Sequence, residues 1–200
     1  MWIPEDLVLQ DEWVRLEPLG PQHDEGLLAL ASLETFRYYL TFPPSLEPSA
    51  WAEYMAGVRA MPGVVGFAVW DRVTGRLAGQ TTYMDIRPAH RGLEIGMTWY
   101  GEEFRGTHVN PAAKRLLLAY AFETAHAIRV QLKSDARNAH SRRAMEKLGA
   151  RFEGVLRNHG IQSDGVIRDT AMYSLLPEEW PAVREGLDHR LSLASSLGER

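Results

Sequence analysis

Cysteine is absent from the 200 residues. Its absence excludes disulfides, thiolate-held metals and a cysteine nucleophile together. The seven histidines, at 23, 90, 108, 126, 140, 159 and 189, form no His-x-x-x-His or His-Glu-x-x-His pair. No protein-held metal is therefore expected. No apolar run approaches the ~20 residues of a membrane span, and Met1-Trp2-Ile3-Pro4-Glu5-Asp6 has neither the basic nor the apolar part of an export signal. A cytoplasmic protein without membrane partners is the expectation. Gly-Lys-Ser/Thr and Gly-x-Gly-x-x-Gly are missing too, so neither common nucleotide loop is present. Internal repeats and long polar linkers are also lacking, and residues 1–200 read as a single domain with a core from about 13 to 191 and a frayed tail from Ser195.

The net charge of −4 is unevenly distributed. Between Arg105 and Arg157 there are eleven Lys and Arg against four acids, while the remainder is strongly acidic. A basic centre suits a polyphosphate ligand and an acidic remainder a cationic partner. Solvated helix faces are the plainer explanation for Arg142, Arg143 and Lys147. Nucleic acid is disfavoured by the overall sign and by the lack of aromatics within the basic block.

Periodicity gives the order of elements. Trp13–Leu19 alternates as a strand, Leu27, Leu28, Leu30 and Ala31 mark a helix, and Phe36–Pro44 is an aromatic loop. Trp51, Tyr54, Met55 and Val58 make the stripe of a second helix over 49–61. Strands over 64–70 and 77–86 flank the turn Asp71–Gly75. Later come a strand at 129–133 and a helix from Asn138 to Leu148 closed by Gly149. Strands at 151–161 and 168–176 are joined across Ser163-Asp164-Gly165, and a last helix begins near Pro177. This order, β-α-α-β-β-β-α-β-α-β-β, predicts an α/β (α+β) fold with a mixed sheet of about seven strands and helices on both faces.

The most informative stretch runs from Gly92 to Tyr120. Leu93, Ile95, Met97 and Trp99 alternate with Glu94, Gly96, Thr98 and Tyr100, which predicts one apolar strand face and a Glu94 turned away from it, on a face lined with Gly96 and Thr98. After the loop Arg105-Gly106-Thr107-His108-Val109, Asn110 reads as an N-cap and Pro111 as the first helical residue. A strand, loop and helix N-terminus in this order present unpaired amides and a partial positive charge to an anion.

Several features taken together resemble the GNAT superfamily of acetyl-coenzyme-A-dependent N-acetyltransferases, and most closely its RimJ/RimL type, which acetylates N-termini of ribosomal proteins. They are Leu93-Glu94-Ile95-Gly96, the loop from Arg105 to Asn110, Asn138-Ala139-His140-Ser141 with Glu146-Lys147-Leu148-Gly149-Ala150, Glu153-Gly154-Val155-Leu156-Arg157, Arg168-Asp169-Thr170 and Glu179-Trp180. The resemblance implies that acetyl-CoA is the co-substrate. Its pantetheine would run along Thr98, Trp99 and Tyr100, and its pyrophosphate would rest on the amides of Arg105, Gly106, Thr107, His108, Val109 and Asn110. The family loop is usually Gln/Arg-x-x-Gly-x-Gly/Ala. Here His108 and Asn110 replace its small residues, and Pro111 removes one donor.

By the same resemblance Glu94 serves as general base, Asn138 contacts coenzyme A, and Ser141 protonates the leaving thiolate. Each has a plainer role available: a half-exposed strand glutamate, an ordinary N-cap, and a first-turn hydroxyl. Tyr173 is a second proton-donor candidate or a core aromatic, and His108 and His159 read as loop histidines. Tyr38, Tyr39, Trp51, Tyr54, Tyr83 and Asp85 are candidates for the acceptor groove. An α-amine is neutral at pH 7 far more often than a lysine, so one modest base suffices for it. The expected acceptor is a protein N-terminal α-amine. Small-molecule amines, or a catalytically silent coenzyme-A-binding protein, are the alternatives, and relatives of this type often pair as homodimers.

Overall fold

The computed structural model describes residues 2–198, with side chains to Ala194. A single eight-stranded mixed sheet has the order β1-β2-β3-β4-β5-β6-β8-β7. The strands are β1 (Leu9–Gln10), β2 (Val14–Pro18), β3 (Val65–Asp71), β4 (Arg76–Arg87), β5 (Gly92–Tyr100), β6 (Arg129–Asp135), β7 (Arg151–Ile161) and β8 (Ile167–Leu175). The helices are α1 (Asp24–Leu30), α2 (Pro48–Arg59), α3 (Val109–Ala119), α4 (Ala139–Leu148) and α5 (Trp180–Gly198). The strand beyond the expected seven is the two-residue β1, too short to leave a periodic signal. Helix α5 runs to Gly198, and residues 199–200 of the tail expected to fray lie outside the described residues.

Two apolar layers sandwich the sheet. On one face Leu27 of α1 and Trp51, Tyr54, Met55 and Val58 of α2 pack with Phe36, Ala68 and Trp99. On the other, Val109, Ala112, Ala113, Leu117 and Leu118 of α3, Met145 and Leu148 of α4, and Val183, Leu187 and Leu191 of α5 pack on Leu93, Ile95, Val130 and Leu132. Local chemistry explains the element ends. Asn138 caps α4 by accepting from the Ser141 amide at 3.0 Å, and Gly149 closes it in the left-handed conformation at φ 100°. In the β3–β4 turn the Asp71 carboxylate accepts from Val73 N and Thr74 Oγ1, and Gly75 supplies the positive φ of 70°.

Strand β5 departs from regular alternation. Thr82 is opposite Gly96 and Gln80 opposite Trp99, so Thr81 alone faces both Met97 and Thr98, a bulge with Met97 at φ 48°. A bulge reverses the side-chain parity beyond it. Leu93 and Ile95 therefore face α3, whereas Met97 and Trp99 join the α1/α2 layer, and Thr98 and Tyr100 turn towards α3. The single apolar face expected for Leu93, Ile95, Met97 and Trp99 is thus divided, and Glu94 does not share its face with Thr98.

Candidate active site

The sheet opens where β5 and β6 separate. These parallel strands pair only at Gly92–Arg129, Leu93–Val130 and Glu94–Gln131. From Ile95 onward β5 has no strand neighbour on that side, so its outward backbone groups there must find side-chain or ligand partners. Glu94 is the last paired residue, at the apex of the split.

Glu94 is 1% exposed. Its Oε2 lies 3.0 Å from Lys133 Nζ and accepts from Gln131 Nε2 at 3.1 Å. Gln131 also donates to Asp85 Oδ2 at 2.8 Å. The opposite carboxylate oxygen passes over Gly96, where a Cβ would stand 2.9 Å from Glu94 Oε1 and 2.5 Å from Met84 Sδ. A side chain at 96 would displace the carboxylate. Glu94 is therefore a buried, counter-charged carboxylate on the α1/α2 side, not a surface residue. Lys133 and Gln131 were not among the sequence candidates; their two-residue spacing in β6 puts them on one face, but which carboxylate they meet depends on register.

The stretch 37–40 closes over this side. Gln162 Nε2 donates to Arg37 O and Tyr39 O, Arg168 donates to Tyr38 O, and Ser163 N donates to Leu40 O. Tyr39 Oη reaches across to Thr98 O at 2.9 Å. Tyr39 and Asp85 thus reach the split. Trp51 and Tyr54 are core, and Tyr83 is core on the other side, donating to Leu117 O from 0% exposure.

Across the sheet lies the α3 side. The helix begins two residues earlier than expected, with His108 rather than Asn110 at the cap position and Pro111 inside the first turn. Proline is tolerated there because first-turn amides have no intrahelical partner. Gly106 adopts φ 74°, and a Cβ there would meet open space. The His108 ring is used internally: Nε2 lies 2.9 Å from Asp71 Oδ1 and the ring centroid is 5.1 Å from that of Trp13. Arg105 is also engaged, donating to Tyr100 O and to Thr35 Oγ1. The carbonyls of Thr98 and Tyr100 therefore already have donors. A ligand amide laid along β5 finds free N–H groups but competes for those two oxygens.

Asn138 and Ser141 open α4 on this same side, half-buried, above the buried Met145 and Leu148. The Asn138 carbonyl is spent on capping, leaving its NH2 group for a ligand. Tyr173 is fully buried, with Oη donating to Glu146 and accepting from Arg142. That network makes it core rather than a free donor, and His159 is on the exposed strand β7. Much of the basic block is paired: Arg115 with Asp188, Arg129 with Glu153, Lys133 with Glu94, and Arg137 with Asp135. Two buried cations were legible in the sequence only as part of that block or of a motif. Arg168 is 5% exposed beside Tyr38. Lys114 is 7% exposed, and its Nζ donates to Thr98 Oγ1 at 2.9 Å. Its place three and four residues before the buried Leu117 and Leu118 was the available signal.

A sheet parted beside a buried glutamate, with a helix N-terminus at the open edge, fits an acetyltransferase. Residues 14–151 match the acetyltransferase (GNAT) domain family, and the chain belongs to it. A Bacillus subtilis (strain 168) protein provisionally named ribosomal N-acetyltransferase YdaF is 36% identical over 106 residues, which are 53% of this chain and 57% of the relative. The match thus spans little more than half of that relative's length. A crystal structure from T. thermophilus, provisionally named an acetyltransferase, is 39% identical, covering 94% of this chain and 98% of the other with a TM-score of 0.88. Mycobacterium smegmatis RimJ in complex with CoA-disulfide shares the fold at 22% identity, covering 94% and 93% with a TM-score of 0.71. Among the described residues no helix is long and apolar enough to cross a membrane, and no group of three His, Asp or Glu has the spacing to hold a metal.

Proposed function

We propose that this chain, acting as a single catalytic domain in the cytoplasm, transfers an acetyl group from acetyl-CoA to a protein N-terminal α-amine of the ribosomal-protein type. The observation that carries the reading is the buried Glu94 at the apex of the β5–β6 split, beside an unpaired strand edge that leads to the α3 N-terminus. The pyrophosphate rests on the loop from Arg105 to Asn110, where the Arg105 and Val109 amides already donate to Glu102 O and Thr107 Oγ1, the pantetheine runs along Thr98, Trp99 and Tyr100 and meets the outward N–H groups of Thr98 and Tyr100, and Asn138 adds its NH2 group. Glu94, in ion-pair contact with Lys133, accepts the amine proton as the C–N bond forms. The Ser141 hydroxyl turns towards the departing sulfur.

The acceptor enters on the α1/α2 side, past Tyr39 and Asp85. An α-amine with a pKa near ~8 suits this arrangement, because part of it is already neutral at pH 7 without a strong base. The name of the B. subtilis relative supports the ribosomal class.

Calorimetry with CoA, followed by thiol release from acetyl-CoA against ribosomal N-terminal peptides and small amines, tests the reading. Binding with turnover on peptides is expected. Turnover on small amines alone would reassign the acceptor, and binding without any turnover would make the chain a silent coenzyme-A-binding protein.

A further inference from the structure

Among the described residues Lys114 is the one buried lysine on the α3 side of the split, and its surroundings are unusual for a cation. Its Nζ makes one hydrogen bond, to Thr98 Oγ1, and among the described residues no carboxylate pairs with it. That hydroxyl is fixed from its other side, 2.7 Å from Thr81 Oγ1 and 3.4 Å from Gly96 O. The amine is thus held in place with two of its three positions unused. Burial with no compensating charge pushes its pKa down to about 7. A side chain so placed is costly to the fold unless a ligand meets it.

Position says which ligand. Thr98 lies beyond the Met97 bulge, in the part of β5 that β6 has left. The bulge sends Glu94 to one face of the sheet and Thr98, with Lys114, to the other. A helical side chain leans towards the N-terminus of its helix, so Lys114 also reaches back towards the turn proposed to hold the pyrophosphate. Glu94 and Lys114 therefore stand on opposite faces of β5, Glu94 where β6 leaves it and Lys114 against the part beyond.

We propose that Lys114 is the proton donor to the departing sulfur of coenzyme A, an inference that rests on the acetyl-transfer reading above. As the amine nitrogen bonds to the acetyl carbon, the C–S bond breaks and its electron pair goes to sulfur. Glu94 takes the proton from nitrogen on one face, and Lys114 gives one to sulfur on the other. The products are an amide and a neutral thiol, and solvent returns the two side chains to their starting states. Ser141, whose hydroxyl does not part with a proton at neutral pH, orients the sulfur without supplying the net proton.

The test needs no acceptor. After calorimetry establishes that CoA binds, the fraction of bound CoA present as thiolate at about pH 7.5 is read from its ultraviolet absorbance. A free thiol with pKa ~8.5 is about one-tenth ionised there. A thiolate formed beside Lys114 draws a proton onto that amine, and this pairing should raise the fraction in the wild-type complex at least threefold. K114M should return it to one-tenth or below, and K114R, charged throughout, should keep it at least as high as wild type. Equal fractions in wild type and K114M would overturn the proposal and leave the acetyl-transfer reading intact. Should K114M not fold, a K114R complex with no more thiolate than free CoA does the same. Failure of wild type to bind CoA would remove both.

Discussion

Two buried charges flank the split in the sheet, and the fold treats them oppositely. Glu94 is surrounded by compensation, with Lys133 in ion-pair contact, Gln131 donating, and Asp85 and Arg87 completing the cluster. Lys114 has a single hydroxyl. An unpaired buried amine such as Lys114 is left near the midpoint of its titration at neutral pH. One face of the split thus holds an ion pair and the other a lone amine.

The largest expected break in this comparison is Glu94→Gln. It keeps the hydrogen-bonding reach and removes the proton acceptor, so turnover should fall on the order of 10²–10⁴-fold and recover partly as pH rises and the amine deprotonates unaided. Wild-type turnover at pH 7 on a confirmed acceptor would show that Glu94 is not the base.

Next in size is a pH effect on stability. The Lys114 pKa is about 7 in the folded protein, against ~10.4 in an unfolded chain. Between these values the unfolded chain holds a proton that the folded one has released, so this side chain makes the fold more stable as pH rises. From pH 7 to 9 wild type should gain about 2 kcal/mol relative to K114M, read from urea midpoints at each pH. Parallel pH curves for the two proteins would mean that Lys114 is not depressed.

Tyr39→Phe sharpens the comparison from the acceptor side. Freed of the tyrosine hydroxyl, Thr98 O becomes available to a pantetheine amide, so the CoA dissociation constant should stay level or fall by up to about fivefold, worth ~1 kcal/mol. A rise would show that Tyr39 helps to hold the cofactor instead of competing with it. Smallest is Asn138→Ala, which removes the α4 cap and should cost about 1 kcal/mol of stability. Asn138→Asp keeps the cap and loses only the NH2 group, so weaker CoA binding by that variant isolates the ligand contact.

What could be read from sequence was local. The helix stripe Trp51, Tyr54, Met55 and Val58, the Asn138 cap, the Gly149 stop and the Asp71–Gly75 turn are each fixed within a few residues, and each stands in the fold as expected. The strand-loop-helix unit and the Glu94 candidate were legible for the same reason. The rest was settled by neighbours far along the chain. The bulge at Met97 exists only against β4, and it alone decides that Glu94 and Thr98 look to opposite faces. Lys133 meets Glu94 because β6 enters beside β5 in one register, and His108 turns inward because Asp71 waits there from the β3–β4 turn. Lys114 resembles any exposed helical lysine until Thr98 and the apolar residues around it close over its stem. Residue type and spacing determined which elements form; strand register and burial, which no short stretch of sequence encodes, decided the partners and direction of the candidate site groups.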